Sequence, residues 1–303
     1  MPARQLLKTA VEQGLLRSGL PGISGRLRRS EVLILAYHDI VPDGERAVGD
    51  SSLHLAQSAF GAQLDALLEL NEVVSLESAL SGAGAARGRP RVAITFDDAY
   101  RGAVLAGVDE LVARGLPATI FVPPALLNDG VFWWDALTPA GMPGLAPAVR
   151  DDALQQMAGK GSVILGARAA NEMSRIPAYA RGASEEELRR AAGHPGITLA
   201  SHTWSHPNLA ALDAAELEDE LQRPLAWLRE RFTGVLPFIS YPYGLSSPAV
   251  ESAAAEAGYE AALRIDGGWL RDGSLNRYAI PRLNVPSGIS DAGFRLRCSG
   301  LLA

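Results

Sequence analysis

An apolar run that stops at two adjacent carboxylates, Arg91-Val92-Ala93-Ile94-Thr95-Phe96-Asp97-Asp98-Ala99, constrains this chain more than any other stretch. Val92 to Phe96 is short, apolar and rich in β-formers, which reads as a buried strand. From Tyr100 to Arg114 the periodicity is helical, with Val104, Leu105, Val108, Leu111 and Val112 on one face. Gly115 and Pro117 stop that helix. Ala118 to Val122 is the next apolar strand. Strand, helix and strand within about thirty residues make a βαβ unit, and that unit implies a parallel sheet. Asp97 and Asp98 then sit at the strand-to-helix edge, where such folds bind ligands. One Asp could simply cap the helix. Two like charges side by side cost energy unless something positive or protonated lies between them.

Other strands end the same way. Val32 to Ala36 runs into Tyr37-His38-Asp39, Ile197 to Ala200 into Ser201-His202-Thr203-Trp204-Ser205-His206, and Val235 to Ser240 into Tyr241-Pro242-Tyr243-Gly244. Parallel barrel strands bring all such ends to one mouth. Between Pro123 and Gly196 no clear strand occurs, too long a gap for one crossover helix. We expect a mostly helical insertion there, with a capping box at Ser184 and Glu187. Its Trp133-Trp134 pair could stack on a sugar ring or could anchor the insertion. Asp213 caps a long helix in which Pro224 should produce a kink or a break. Ser247-Pro248 opens a further helix that Gly258 closes.

Composition sets outer bounds. Of 303 residues, 48% are hydrophobic and 20% charged, enough for a real core. The net charge of −6 argues against a nucleic-acid surface. The single Cys298 excludes an internal disulfide and a thiolate metal cluster. No apolar stretch approaches the ~20 residues needed to span a bilayer, and no signal-peptide pattern is evident. These features suggest a cytoplasmic protein or one peripheral to the membrane. Leu6, Leu7, Val11, Leu15 and Leu16 recur at helical spacing among Arg4, Lys8 and Arg17, with Arg26, Arg28 and Arg29 beyond. Such a basic amphipathic segment could lie on an anionic membrane or pack on the domain.

Three of the 5 histidines fall at strand ends. His202 and His206, four apart, can present both imidazoles to one point. Two imidazoles and a carboxylate make a three-ligand site with open positions, suited to Zn²⁺ or a related divalent ion. If Asp98 is the carboxylate ligand, Asp97 is free to act as base on water acidified by the metal. A backbone N–H near Tyr243 could help hold an oxyanion. His38 could supply the acid for a leaving amine or could be a buried structural histidine.

Taken together, these motifs resemble the polysaccharide deacetylases, carbohydrate esterase family four, with their NodB-like domain. Thr95-Phe96-Asp97-Asp98 resembles the family's Thr-Phe-Asp-Asp motif. The resemblance implies Asp97 as base and Asp98 as metal ligand. His202 to His206 resembles the His-(Ser/Thr)-x-x-His motif, implying His202 and His206 as the other ligands. Tyr241-Pro242-Tyr243-Gly244 resembles the third motif, a groove wall with the Tyr243 amide toward the oxyanion. Trp204 and Tyr241, inside these motifs, are expected beside substrate with Trp133 and Trp134. Two departures stand out. Ser240 and Tyr241 occupy the neighbourhood of the usual base-orienting Arg, which Arg282 could replace. No histidine follows His206, where the family's acid usually sits. Tyr37-His38 resembles a first-strand motif of the permuted poly-N-acetylglucosamine deacetylases and implies His38 as the acid.

The expected fold is α/β, a distorted, incomplete (β/α) barrel with a mostly helical insertion on the active-site edge. Residues 1–30 would form an N-terminal amphipathic helical segment, 31–290 the barrel domain with its insertion at about 123–196, and 291–303 a C-terminal tail. The expected activity is removal of N-acetyl groups from amino sugars in a glycan, with Zn²⁺, Co²⁺ or Ni²⁺ as cofactor. The competing readings are hydrolysis of a cyclic ureide or imide on the same scaffold, and a glycan-binding protein without turnover.

Overall fold

The computed structural model describes residues 3–81, 88–168, 175–270 and 276–302, with side chains from residue 7 onward. The loop expected at Gly82 to Pro90 lies mostly outside the described residues.

The apolar runs become strands, the central ones buried on both faces. The strands are β1 (Val32–Tyr37), β2 (Asp39–Val41), β3 (His54–Ala56), β4 (Glu72–Val73), β5 (Arg91–Phe96), β6 (Ala118–Val122), β7 (Ile197–Ser201), β8 (Val235–Ser240), β9 (Ala261–Leu263), β10 (Trp269–Leu270) and β11 (Leu283–Asn284). Every residue of β1, β5 and β6 is buried, as parallel strands covered on both sides require. The order is β10-β1-β5-β6-β7-β8-β9, parallel throughout except for β10. β4 pairs with the first residues of β5 and β6 with the last. β10 and β11 divide one edge of β1 in the same way. The sheet therefore splays where an ideal barrel would stay in register. A strap of residues 276–285 spans the gap from β9 to β1. Its Ile280 N–H donates to Ala262 O at 2.9 Å, and the Val285 N–H donates to Ala36 O at 3.0 Å.

Alternation along the strands sorts two layers. Ile34, Ala93, Phe121, Ala200, Phe238 and Leu263 form one buried cluster inside the curl. Leu33, Leu35, Val92, Ile94, Ile120 and Leu199 belong to another, packed beneath the outer helices. The inner register continues to the strand ends and beyond. His38 follows Ile34 and Ala36, Asp97 follows Ala93 and Thr95, His202 follows Ala200, and Ser240 follows Phe238.

Among the described residues the insertion contains no strand. It is built from helices Trp133–Leu137, Pro147–Gln155, Gly161–Ala167 and Glu185–Ala192. The capping box at Ser184 and Glu187 forms with both bonds in place, a device worth about 1 kcal/mol. Pro224 does not split its helix, which runs continuously over Ala214–Arg231 with Pro224 buried. Packing of that ring against the domain accommodates the missing N–H. The segment expected as a C-terminal tail is instead the helix Asp291–Cys298. Phe294, Leu296 and Cys298 are wholly buried there, and the N-terminal helix Ala3–Arg17 packs on it.

Candidate active site

Asp97 reaches the mouth by continuing the inner face of β5. Its neighbour Asp98 would point outward if the strand went on. The chain instead turns through left-handed backbone at Asp98 (φ 70°) and Ala99 (φ 52°), and both carboxylates line one cavity. Such conformations cost of order 1–3 kcal/mol each and persist where the surroundings over-determine them. Thr203, His206 and Tyr243, on two other strand-end turns, also have positive φ. The cavity of about 360 Å³ is lined by His38, Asp97, Asp98, His202, His206 and Tyr243, with Trp134, Arg150 and Leu154 from the insertion.

Asp98, His202 and His206 converge. Asp98 Oδ1 lies 3.4 Å from His202 Nε2 and 3.2 Å from His206 Nε2. The His202 Nδ1–H donates to Ser240 O at 2.7 Å, which leaves Nε2 as a lone pair aimed at the carboxylate. Asp98 Oδ1 is buried without a hydrogen-bond partner among the described residues. Facing lone pairs in a buried site repel unless a proton or cation sits between them. Two imidazoles and a carboxylate, with ligand atoms within 4.8 Å of one another, fit a divalent ion. Burial raises the Asp98 carboxyl, but its contacts with the two imidazoles more than offset this and hold it far below the carboxylate range. Burial lowers both histidines. Asp97 and Asp98 pull His202 back above its ordinary value, whereas His206 stays below.

The turn carrying the His pair has a brace that the sequence did not suggest. The N–H groups of Trp204 and Ser205 both donate to Glu220 Oε2 at 2.8 Å, and Ser205 Oγ donates to Oε1 at 2.5 Å. Thr203 Oγ1 accepts from the His206 N–H. Glu220 sits mid-helix, 14 residues beyond His206, where only the fold reveals its role.

Arg282 does reach Asp97. The strap carries it inward, and its five N–H donors are all used. Nη1 donates to Asp97 Oδ1 (2.8 Å) and Thr95 Oγ1 (3.0 Å). Nη2 donates to Asp97 Oδ2 (2.7 Å) and Ser240 Oγ (2.6 Å), and Nε to Arg264 O (3.0 Å). Burial raises the Asp97 carboxyl, but Arg282, with His202 and His38, brings it below its usual value. His38 is half-buried at the mouth. Its burial lowers the imidazole, and Asp98 and Asp97 only partly restore it.

The expected aromatic contacts divide. Trp134 lines the cavity and packs 5.0 Å from the His206 ring. Trp133 is buried and does not line the cavity; its Nε1–H donates to the Tyr243 hydroxyl. Tyr241 is also off the cavity, since one residue past Ser240 its side chain turns to the outer layer, where its hydroxyl donates to Tyr278 O. Trp204 lies outside as well, under the Arg223 guanidinium at 3.6 Å and beside Trp227. Tyr243 does line the cavity, its ring 4.7 Å from His206.

Behind Trp134 lies a buried network with no sequence signature. His54 Nδ1 meets Asp39 Oδ2 at 2.8 Å and its Nε2 meets Asp135 Oδ1 at 3.0 Å. The Tyr100 hydroxyl donates to Asp135 Oδ2 and accepts from Trp134 Nε1–H. Burial opposes the charged imidazole, yet the two carboxylates raise His54 to about 10. Burial lifts Asp39 to about 6.

Comparison with known proteins gives this geometry a family. The sequence model described as "Polysaccharide deacetylase" matches residues 84–262, and the chain belongs to that family. It is 30% identical over 112 residues to "Putative polysaccharide deacetylase YxkH" of Bacillus subtilis (strain 168), a match spanning 37% of this chain and 39% of that relative. Its fold is shared with the Streptococcus pyogenes deacetylase PplD, solved in complex with acetate (TM-score 0.60, 16% identity, 87% of this chain and 96% of that one). It is shared too with IcaB from Ammonifex degensii (TM-score 0.62, 16% identity, 89% and 97%). A de-N-acetylase from Aggregatibacter actinomycetemcomitans has the same fold (TM-score 0.60, 15% identity, 88% and 98%).

Proposed function

We propose that this protein is a metal-dependent hydrolase that removes N-acetyl groups from amino sugars in a glycan. The observation that carries the reading is the convergence of Asp98 Oδ1 with the Nε2 atoms of His202 and His206, beside an Asp97 clamped by Arg282. Asp98, His202 and His206 would hold the ion. A divalent ion there would polarise the acyl carbonyl and lower the pKa of water from 15.7 toward about 7.

The chain's own groups supply the remaining work. Asp97, held below its usual pKa, is ionised throughout the neutral range, as a base must be. Arg282 fixes its orientation. Ser240 serves both sides of the site. Its carbonyl sets the His202 tautomer and its hydroxyl bonds Asp97. His38 shares the cavity with Asp97 and is the candidate to pass a proton to the departing amine. Burial leaves its imidazole neutral near pH 7, so the proton it donates is one gained during the reaction. Tyr243, half-buried at the cavity, offers apolar surface to a sugar ring, and Trp134, 3% exposed, backs the wall behind it.

The test is acetate release from N-acetylglucosamine oligomers. It compares metal-stripped protein, protein restored with Zn²⁺, Co²⁺ or Ni²⁺, and Asp97→Asn with metal. Release that requires metal and falls about 10²–10⁴-fold in Asp97→Asn, with metal still bound, supports the assignment. Failure to bind any divalent ion sinks it.

One observation favours a second reading. A cavity of about 360 Å³ is near the small end of ligand pockets. It suits one or two sugar rings, or a compact amide such as a cyclic ureide or imide. Metal-dependent turnover of such an amide, with none of acetylated oligomers, would favour that substrate.

A further inference from the structure

We propose that the two N-terminal helices form a docking surface for an anionic lipid bilayer. The first helix, Ala3–Arg17, uses one side to join the domain. Glu12 is buried there and accepts from Ser290 Oγ, and Leu15 and Leu16 are half-buried. Leu7 (67%) and Val11 (52%), one helical turn apart and in line with Leu15, stay exposed toward the helix's N-terminal end. The second helix, Leu20–Leu27, has no buried residue. Leu20, Ile23 and Leu27 share one face of it, with Leu27 78% exposed. Eleven large hydrophobic residues are exposed among the described residues, and five of them fall within this pair of helices. Single exposed aliphatic side chains are ordinary; a concentration of them marks a surface that meets something apolar.

Charge selects the partner. Residues 1–30 carry six basic side chains and one acid, a balance of +5. The whole chain's −6 leaves −11 for residues 31–303. Arg28 is engaged with Glu31 and Gly300 O. Lys8 is exposed and pairs with Glu12 at 3.8 Å, and Arg17, Arg26 and Arg29 are exposed. A cationic, aliphatic patch on an acidic body attracts an anionic surface with an apolar layer beneath it, which a bilayer has and a nucleic acid lacks. A second copy set face to face would bring like charges together.

The full chain is tested by co-sedimentation with phosphatidylcholine vesicles, with and without phosphatidylglycerol, at low and high salt. The expected result is binding to the phosphatidylglycerol vesicles, weakened by salt and weaker still without the anionic lipid. Ile23→Ser with Leu27→Ser should bind about tenfold less well, and Arg26→Glu with Arg29→Glu should lose the anionic preference. All four side chains are exposed, so near-ultraviolet circular dichroism should remain native. No sedimentation with phosphatidylglycerol vesicles at low salt overturns the proposal, as does unchanged binding by the Ile23/Leu27 variant. So does a dimer that this variant abolishes while vesicles stay unbound, which would make a second copy the occupant.

Discussion

Arg282 and Asp97 meet through two parallel bonds, Nη1 to Oδ1 at 2.8 Å and Nη2 to Oδ2 at 2.7 Å, with both side chains shut off from solvent. They are 185 residues apart in sequence and come from different parts of the barrel, the strap and the end of β5. Arg282→Lys keeps a charge but cannot reproduce the fork. We expect acetate release to fall, and the acid limb of its pH–rate profile to move up as Asp97 regains proton affinity. Arg282→Gln leaves Asp97 buried and unpaired. Removing one partner of a buried pair typically costs 3–5 kcal/mol, which urea denaturation would register. A wild-type acid limb in both variants would show that the guanidinium does not govern Asp97.

Glu220 holds the Trp204 and Ser205 amides and thereby sets where His206 sits. Glu220→Gln preserves shape but removes the charge from those bonds. Groups that orient metal ligands typically contribute 10–100-fold in affinity. Isothermal titration with Zn²⁺ should give a dissociation constant weaker by about that factor, with the helix content unchanged. An unaltered affinity would reduce Glu220 to a helix-surface residue.

Metal should stabilise the fold as well as serve the chemistry. Zn²⁺ at 100 times its dissociation constant adds about 2.7 kcal/mol to a site absent from the unfolded chain. Thermal unfolding of chelated protein should therefore shift upward on adding Zn²⁺. Asp98→Asn, which exchanges an anionic ligand for a neutral one, should lose most of that shift. A shift that survives in both Asp98→Asn and His206→Ala would locate the ion elsewhere.

His54 lies between Asp39 and Asp135 with no contact to solvent. Its folded pKa of about 10 exceeds its ordinary value near 6.5. Its contribution to stability is thus complete below about pH 6.5 and is lost as pH rises through about 10. Asp39, raised to about 6, adds a loss of the same sign between about pH 4 and 6. Wild-type urea midpoints should fall between pH 7 and 10. His54→Gln should be less stable by several kcal/mol at neutral pH, because two buried carboxylates lose their shared cation. It should also lack the alkaline decline. A midpoint independent of pH in the wild type would mean that this histidine is already neutral.

Much of this site was legible because strand alternation and strand-end position are written one residue at a time. Asp97, Asp98, His202 and His206 each follow an apolar run, so their meeting could be read without coordinates. The same parity argument, taken one step further, would have turned Tyr241 outward beside the inward Ser240. Trp133 and Trp134 look alike in sequence; which one lines the cavity depends on how a five-residue helix rolls against the domain. The Asp39–His54–Asp135 network was illegible for a different reason. Its members occupy two short strands and the insertion, and no periodicity links them. Arg282 stood out only as a replacement for a missing guanidinium, and its five bonds depend on a strap with too little pairing to read as a strand.

The strap joins two jobs, closing the sheet and delivering the partner of Asp97. Asp97 belongs to the sheet's interior, but its partner arrives only when residues 276–285 bridge β9 to β1. A chain with every other strand in place and the strap undone would keep Asp98, His202 and His206 converging, while Asp97 would lose its guanidinium fork and retain only its bond from Ser240 Oγ. Such a molecule could take up an ion and remain inert. On the proposed chemistry, turnover would report more stringently than ion uptake that the last gap in the wall has shut.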